Sequence, residues 1–281
     1  MTDVSSQRET QSKAFDRAWD LVQERWIPPN PVVLESIVEG IEKDRYRDNV
    51  DLLIEDLSRD LALFTFCLRE LVVVLHERGR PLPPPTDPIR FFRWAGVGAL
   101  VELVRRAEER FADSSFQDMT PAQAGRLQEA LISATAAETL APEARLRPEM
   151  GYSTALLRQF GLALVAWNYP HIYEHALKRL RNTSPGGAVS LERIVARRLG
   201  FVPSVLAMAM AREWHLAPEL RAALGDPRAL DEVSEERSAT IRRVAENLQT
   251  ICEVGEALAR ANDPDTYPTA RSDWNTARRE I

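Results

Sequence analysis

The stretch from Asp60 to His76 limits the folds open to this chain more than any other feature of the sequence. Its apolar residues follow one another so closely that, on a helix, they cover every side. They are Leu61, Leu63, Phe64, Phe66, Leu68, Leu71, Val72, Val73, Val74 and Leu75. A helix that is apolar all round has to be surrounded by other elements. The stretch therefore predicts the central helix of a larger helical assembly.

An apolar spacing of three to four residues recurs along almost the whole chain, which indicates amphipathic helices. Helices are predicted over Val32 to Lys43, from an N-cap at Asp48 through Leu57, and over Ser234 to Ala261. Glycine is sparse, at 12 residues. No stretch shows the two-residue alternation of a half-buried strand worth assigning. We therefore predict an all-α fold of many helices.

The polar segment from Ala112 to Met119 is the candidate boundary between two helical lobes. Directly after it, Thr120 can cap a helix, Pro121 takes the first helical position, and Gln123 can close a capping box. We place an N-terminal lobe at residues 1–115 and a helical bundle at residues 116–281. Residues 262–281 hold few apolar anchors and are expected to fray.

The charge and the hydropathy of the chain exclude some partners and favour one compartment. The net charge is −6 and the pI is about 5.5, which argues against nonspecific nucleic-acid binding. No apolar run approaches the roughly 20 residues that span a bilayer, and the polar N-terminus does not resemble a signal peptide. Cys67 and Cys252 lie in apolar surroundings and are predicted to be buried free thiols. We expect a cytoplasmic protein without a membrane partner.

Residues 156–162 read Leu-Leu-Arg-Gln-Phe-Gly-Leu and resemble Leu-Leu-His-Asp-Ile-Gly-Lys, the metal-binding signature of HD-type phosphohydrolases. Arg158, Gln159 and Leu162 stand where that signature has His, Asp and Lys. Neither a guanidinium nor an amide replaces an imidazole–carboxylate pair on a divalent metal. We therefore expect no enzyme activity and no metal or other cofactor. Arg158 could instead bind an anion such as a nucleotide phosphate, or be a surface or ion-paired residue.

The order of several segments resembles the HDOD domain, the HD-related output domain of bacterial signalling proteins. The resemblance runs over about residues 20–225 and is carried by the segments 27–33, 53–68 and 199–216. The chain departs from the family pattern at Leu61, at Arg69-Glu70-Leu71 and at Pro203. The resemblance implies a divergent, non-catalytic regulatory protein, with Trp214 as a buried core residue.

His171-Ile172-Tyr173-Glu174-His175 matches H-x-x-E-H, a zinc-protease motif, and histidines four residues apart on a helix share a face. The match is short, and two partly exposed helix histidines are the favoured interpretation. His171 and His175 stay weak candidates for metal ligands. Ser184-Pro185-Gly186-Gly187 is interpreted as a turn rather than as a phosphate-binding loop.

Three functions from different classes follow from these observations. The first is a signalling module that binds unidentified protein partners. The second is a nucleotide or second-messenger sensor that uses a pocket at Arg158 and Gln159. The third is a divergent metal-dependent hydrolase with ligands drawn from His171, His175 and nearby acids. The apolar stripe from Ile241 to Leu258 could form a homodimer interface, but docking within the chain is favoured.

Overall fold

The computed structural model describes residues 2–112, 119–182, 190–231 and 233–279, with side chains from residue 12 onward. The helices are α1 Thr2–Glu24, α2 Pro31–Glu42, α3 Val50–Leu57, α4 Leu61–Glu77, α5 Pro88–Ala95, α6 Val97–Phe111, α7 Pro121–Leu140, α8 Pro148–Asn168, α9 Pro170–Arg181, α10 Leu191–Leu199, α11 Ser204–Glu213, α12 Pro218–Ala223, α13 Glu235–Ala261 and α14 Ala270–Ala277. Within these ranges the only β pairing is an isolated bridge between Thr86 and Leu216. The predicted all-α fold is confirmed.

The central helix is α4, as the sequence predicts, and most of its side chains are buried on all sides. Asp60 starts it, because its Oδ1 accepts a hydrogen bond from the Leu63 amide at 2.7 Å. The other oxygen of Asp60 accepts from the Asn30 amide at 2.8 Å. One carboxylate thus begins α4 and ties the proline-rich segment before α2 to it. The N-cap predicted at Asp48 is wrong by one residue, since Asn49 caps α3.

Helices α7, α8 and α13 pack against one another more extensively than any other group. The capping box at the start of α7 is confirmed: Thr120 and Gln123 exchange side-chain and backbone hydrogen bonds. Gly255 of α13 lies against the Ser133 carbonyl of α7, where a Cβ would come within 2.6 Å of the oxygen. A side chain at this position would push the two helices apart, so glycine here sets their close packing.

Helices from both predicted lobes contribute to one buried apolar cluster. Trp26, which follows α1, packs on Phe160 of α8 with ring centroids 5.5 Å apart, and on Trp214 at 6.4 Å. Trp214 is buried, as expected. The division at residues 115/116 stays a prediction, and residues 113–118 of the proposed boundary lie outside the described part of the chain. So do residues 184–187, which were interpreted as a turn.

The C-terminal end differs from the expectation that it frays. Residues 262–279 pack on the bundle and include α14, and Tyr267 and Ala270 are buried. The segment is short of large apolar residues, but a buried tyrosine hydroxyl with a hydrogen-bond partner anchors it instead. Most of the stripe of α13 is buried against α7, α8 and α12, and Val244 and Leu258 are half-buried. Docking within the chain fits this packing, and the homodimer stays a prediction.

Both cysteines, Cys67 and Cys252, are buried free thiols, as predicted. Within the described ranges no single helix has the length and apolar character needed to cross a bilayer. The pair α10 and α11, which is bent by 82°, meets those criteria of length and composition when it is taken together.

Candidate functional site

The segment that resembles a hydrolase signature lies on α8 and borders a cavity of about 550 Å³. Arg158 and Gln159 both line this cavity, which we call the α8 cavity. Its walls come from α7, α8, α9, α10, α11, α13 and the C-terminal segment, residues 262–279. The polar residues that line it are Arg126, Glu129, Arg158, Gln159, Ser190, Glu192, Ser204, Glu256, Arg260, Tyr267, Thr269 and Asp273.

Arg158 is ion-paired across the bundle. Its Nε donates to Glu256 Oε1 of α13 at 2.8 Å, and both side chains are largely buried, with exposed fractions of 22% and 15%. Burial lowers the pKa of Arg158, but the carboxylate of Glu256 more than offsets this, so the pKa is raised and the guanidinium stays charged. This contact is the one that the ion-paired alternative describes, and anion binding at Arg158 stays a prediction.

Gln159 belongs to a second network that is buried more deeply. Arg126 of α7 donates through Nη2 to the Gln159 amide oxygen at 2.6 Å and pairs through Nη1 with Glu129 at 3.1 Å. The Tyr267 hydroxyl donates to the same Glu129 oxygen at 2.8 Å. Burial raises the pKa of Tyr267, so the hydroxyl keeps the proton that it donates. Gln159 therefore serves as a hydrogen-bond acceptor in a network that links α7, α8 and the C-terminal segment.

The remaining charges around the α8 cavity are also balanced. Arg260 lies 4.0 Å from both Glu256 and Asp273, and Glu192 accepts a hydrogen bond from the Ser204 amide at 3.2 Å. Each cationic side chain that lines the cavity is thus within ion-pair distance of a carboxylate. A polar ligand could enter such a space, but an anion would have to displace an existing carboxylate first.

Gly161, inside the signature-like segment, has a clear packing role. A Cβ at this position would lie 2.2 Å from the Pro203 carbonyl oxygen, directly before α11. Helix α8 can approach the start of α11 only because residue 161 has no side chain. The apolar frame of the segment is kept as well, since Leu156, Leu157 and Phe160 are buried. The segment thus positions the wall of the cavity.

The two candidate metal ligands from the H-x-x-E-H match do not converge on this cavity. His171 and His175 are exposed on α9, and His175 Nε2 lies 3.0 Å from Arg198 Nη2. In the part of the chain that the structure describes, no three His, Cys, Asp or Glu side chains are grouped as a metal would require. An exposed polar helix face is the interpretation that fits their surroundings.

Sequence reasoning found Arg158 and Gln159 but missed Glu256, the partner of Arg158, and the network around Gln159. Arg126, Glu129 and Tyr267 of that network lie on elements that are distant in sequence, and nothing local to α8 points to them. One signal was present: Arg126 and Glu129 are three residues apart on a face of α7 that is otherwise alanine-rich. Charged residues on a buried face of small residues indicate an internal ion pair.

Comparison with known proteins agrees with the fold. The family model of the HDOD domain matches residues 107–226, a range that includes the α8 segment. A solved structure of the MmoQ response regulator from Methylococcus capsulatus str. Bath superposes with a TM-score of 0.60 at 18% sequence identity. The superposition covers 92% of this chain and 98% of that chain. No curated protein matches the chain.

Proposed function

The chain carries an HDOD domain at residues 107–226, and on this premise we propose that it is a regulatory protein of signal transduction that acts by binding other proteins and catalyses no reaction. The domain match supports a role associated with signalling. The likeness in fold to a structure named as a response regulator is consistent with that role. The partners would be signalling proteins, and the mode of action would be contact rather than turnover.

The proposal that the chain is non-catalytic rests on the residues at positions 158 and 159 and on the contacts that their side chains make. In the HD signature these positions hold a metal, and here their side chains are engaged with Glu256 and Arg126. Arginine carries no lone pair for a cation, and an ion-paired guanidinium at this position repels a divalent metal electrostatically. These contacts join α8 to α13 and to α7, so we propose that the two side chains stabilise the helix packing.

The hydrolase alternative can be tested directly. We expect the chain, purified without a histidine tag and incubated with Mn²⁺, to bind much less than one metal per molecule and to leave bis-p-nitrophenyl phosphate intact. A variant with His171→Ala and His175→Ala tests whether these two histidines hold any metal that does bind. Stoichiometric metal in the unaltered chain, together with turnover of the phosphodiester, would contradict the proposal.

The protein-binding part needs a partner measured in purified form. Candidates cross-linked to the chain in its own cells would be purified and titrated against it by calorimetry. We expect saturable binding with a defined stoichiometry for at least one of them. Sedimentation of the chain alone would show whether a second copy is itself such a partner. A chain that binds none of the recovered proteins and stays monomeric would contradict this part.

The second candidate function is a nucleotide or second-messenger sensor that uses the α8 cavity. The volume of about 550 Å³ and the arginines at 126, 158 and 260 favour it. The carboxylates paired with those arginines oppose it, because each would have to give up its partner to an incoming phosphate. A thermal-shift screen with nucleotides and cyclic dinucleotides tests it. A shift that Arg158→Gln removes would favour the sensor over the protein-binding module.

A further inference from the structure

A second cavity, of about 340 Å³, lies on a different part of the molecule. It forms where the segment before α5, the turn between α7 and α8, and the first turns of α13 meet. We call it the arginine cleft, after the four arginines that line it: Arg90, Arg145, Arg147 and Arg237. Only two carboxylates, those of Asp87 and Glu219, line the same space. The lining therefore carries an excess of positive charge, unlike that of the α8 cavity.

The carboxylate of Asp87 neutralises only part of the positive charge of these arginines. It is almost fully buried, and its Oδ1 is used to cap α5 by accepting from the Arg90 amide at 2.9 Å. Its Oδ2 lies 3.0 Å from Arg147 Nη2 and 3.9 Å from Arg90 Nε. The Nη1 of Arg147 and the Oδ2 of Asp87 are both buried, and neither forms a hydrogen bond with a described residue. The buried Nη1 is therefore a donor that a ligand oxygen in the cleft could satisfy.

The guanidinium groups of Arg145 and Arg237 are also available to bind a ligand. Both are exposed side chains at the rim of the cleft, and among the described residues neither forms an ion pair or a side-chain hydrogen bond. They approach the cleft from different elements, the turn after α7 and the start of α13. Guanidinium groups from separate elements that face one space can hold the oxygens of a single phosphate from several directions.

The backbone at Arg145 gives a second, independent reason to regard it as functional. Its φ is +58°, in the left-handed region that favours glycine. The turn is closed by hydrogen bonds from the Arg145 amide to the Pro142 carbonyl and from the Leu146 amide to the Ala141 carbonyl, both 2.9 Å. Such a helix end usually takes glycine. An arginine here is strained locally, and strain of this kind is found at binding sites.

We propose that the arginine cleft binds a small molecule through a phosphate group. Arg145, Arg147 and Arg237 would supply the donors, with Asp87 holding Arg147 in position. Leu146, Met150 and Val244 also line the cleft and provide an apolar surface for the rest of the ligand. Because Asp87 precedes α5 and Arg237 lies on α13, a bound phosphate would join elements from the first and the last third of the chain.

Calorimetry with pyrophosphate at low ionic strength tests the proposal on the whole chain. We expect one saturable site, weakened by about tenfold or more in Arg145→Gly and in Arg237→Gln, since each loses a charge-assisted hydrogen bond. Arg145→Gly is informative because it removes the strain together with the charge: the free variant should unfold at the same or a higher temperature. If Arg145→Gly binds pyrophosphate more weakly and is at least as stable as the unaltered chain, the weaker binding is not caused by unfolding.

Two control variants match these changes outside the cleft. Asp44→Gly relieves a left-handed residue with φ +56°, and Arg197→Gln removes an exposed arginine of α10. Both should bind pyrophosphate like the unaltered chain. A further pair of probes, adenosine 5′-monophosphate and adenosine, should show binding only with the phosphate present. The proposal is overturned if the unaltered chain shows no saturable binding, if the cleft variants and the controls weaken it equally, or if adenosine binds as tightly as its phosphate.

Discussion

The α8 cavity and the arginine cleft are both lined with arginine, and they differ in what the arginines contact. In the α8 cavity Arg126, Arg158 and Arg260 are each within ion-pair distance of a carboxylate. In the arginine cleft Arg145 and Arg237 have no such contact with any described residue. The difference shows that the number of arginines around a cavity does not identify an anion site. Whether their charges are already balanced decides between a role in stability and a role in binding.

The largest effect is expected from removing the carboxylate of Glu129. Glu129→Ala leaves Arg126 buried without its counter-charge and Tyr267 without its acceptor. We expect the free energy of unfolding to fall by about 3–5 kcal/mol, as for other broken buried pairs. Urea denaturation monitored by circular dichroism measures it.

Glu129→Gln is the matched control for that experiment. It keeps an oxygen that can accept from Tyr267 and an amide of nearly the same shape, so the loss should be smaller than with alanine. If Glu129→Ala lost less than about 1 kcal/mol, the value typical of an exposed pair, the α8 cavity would not be held by its charges. The proposed difference between the cavities, stabilising ion pairs in one and unpaired arginines in the other, would then be wrong.

Gly161→Ala tests the packing that shapes the α8 cavity. The new methyl would lie 2.2 Å from the Pro203 carbonyl oxygen, so α11 must move away from α8. Overpacking of this kind is expected to lower the free energy of unfolding by about 1–3 kcal/mol.

Gly125→Ala on α7 is the control, because nothing lies within 4 Å of its added methyl. There the higher helix propensity of alanine should raise stability by up to about 1 kcal/mol. Equal effects of the two substitutions in chemical denaturation would show that the contact at Pro203 has no energetic role.

The local features of the fold could be predicted from the sequence, and the long-range ones could not. Thr120 caps the helix that follows it, and the apolar run after Asp60 forms the central helix. Each of these depends on residues within one or two turns. The partner of Arg158, by contrast, lies 98 residues away on α13. A pairing between helices depends on how they are arranged in space, which apolar periodicity does not specify.

The candidate site could be predicted only in part for the same physical reason. The departures from the HD signature pointed to Arg158 and Gln159, and the structure does place both at a cavity. The role of Tyr267 was missed because a lone tyrosine in a polar segment has no periodic pattern around it. Arg145 was missed because arginine has no preference for the left-handed conformation that it adopts here.

Acid unfolding extends the comparison to a third group of arginines, which pair with a carboxylate that lines neither cavity. Asp226 is buried and accepts hydrogen bonds from Arg212 and Arg221. Burial raises the pKa of Asp226, but these bonds outweigh it and lower the pKa from 3.8 to about 2. The stabilisation is therefore complete above about pH 4 and is lost as the pH falls toward 2, with a total of about 2 kcal/mol.

The measurement is the free energy of unfolding of the unaltered chain and of Asp226→Asn between about pH 5 and 2. Other carboxylates titrate in both proteins, so only the difference between the two curves reports on Asp226. That difference should shrink as the pH falls through the window. A constant difference would mean that its pairing with Arg212 and Arg221 adds nothing that depends on the charge.

The smallest effect, and the one of opposite sign, is expected for Arg145→Gly. The left-handed conformation of Arg145 costs roughly 1–2 kcal/mol for a residue with a Cβ. The greater conformational freedom of glycine in the unfolded chain offsets part of this stabilisation. We therefore expect the free energy of unfolding to rise by about 0.5–1 kcal/mol, measured by thermal or chemical denaturation. Arg145→Ala removes the charge but keeps the Cβ and should give no such gain. If both substitutions stabilise equally, repulsion among the arginines of the cleft outweighs the backbone strain at this residue. Neutralisation of that repulsion by a phosphate ligand should then raise the melting temperature of the unaltered chain more than that of either variant.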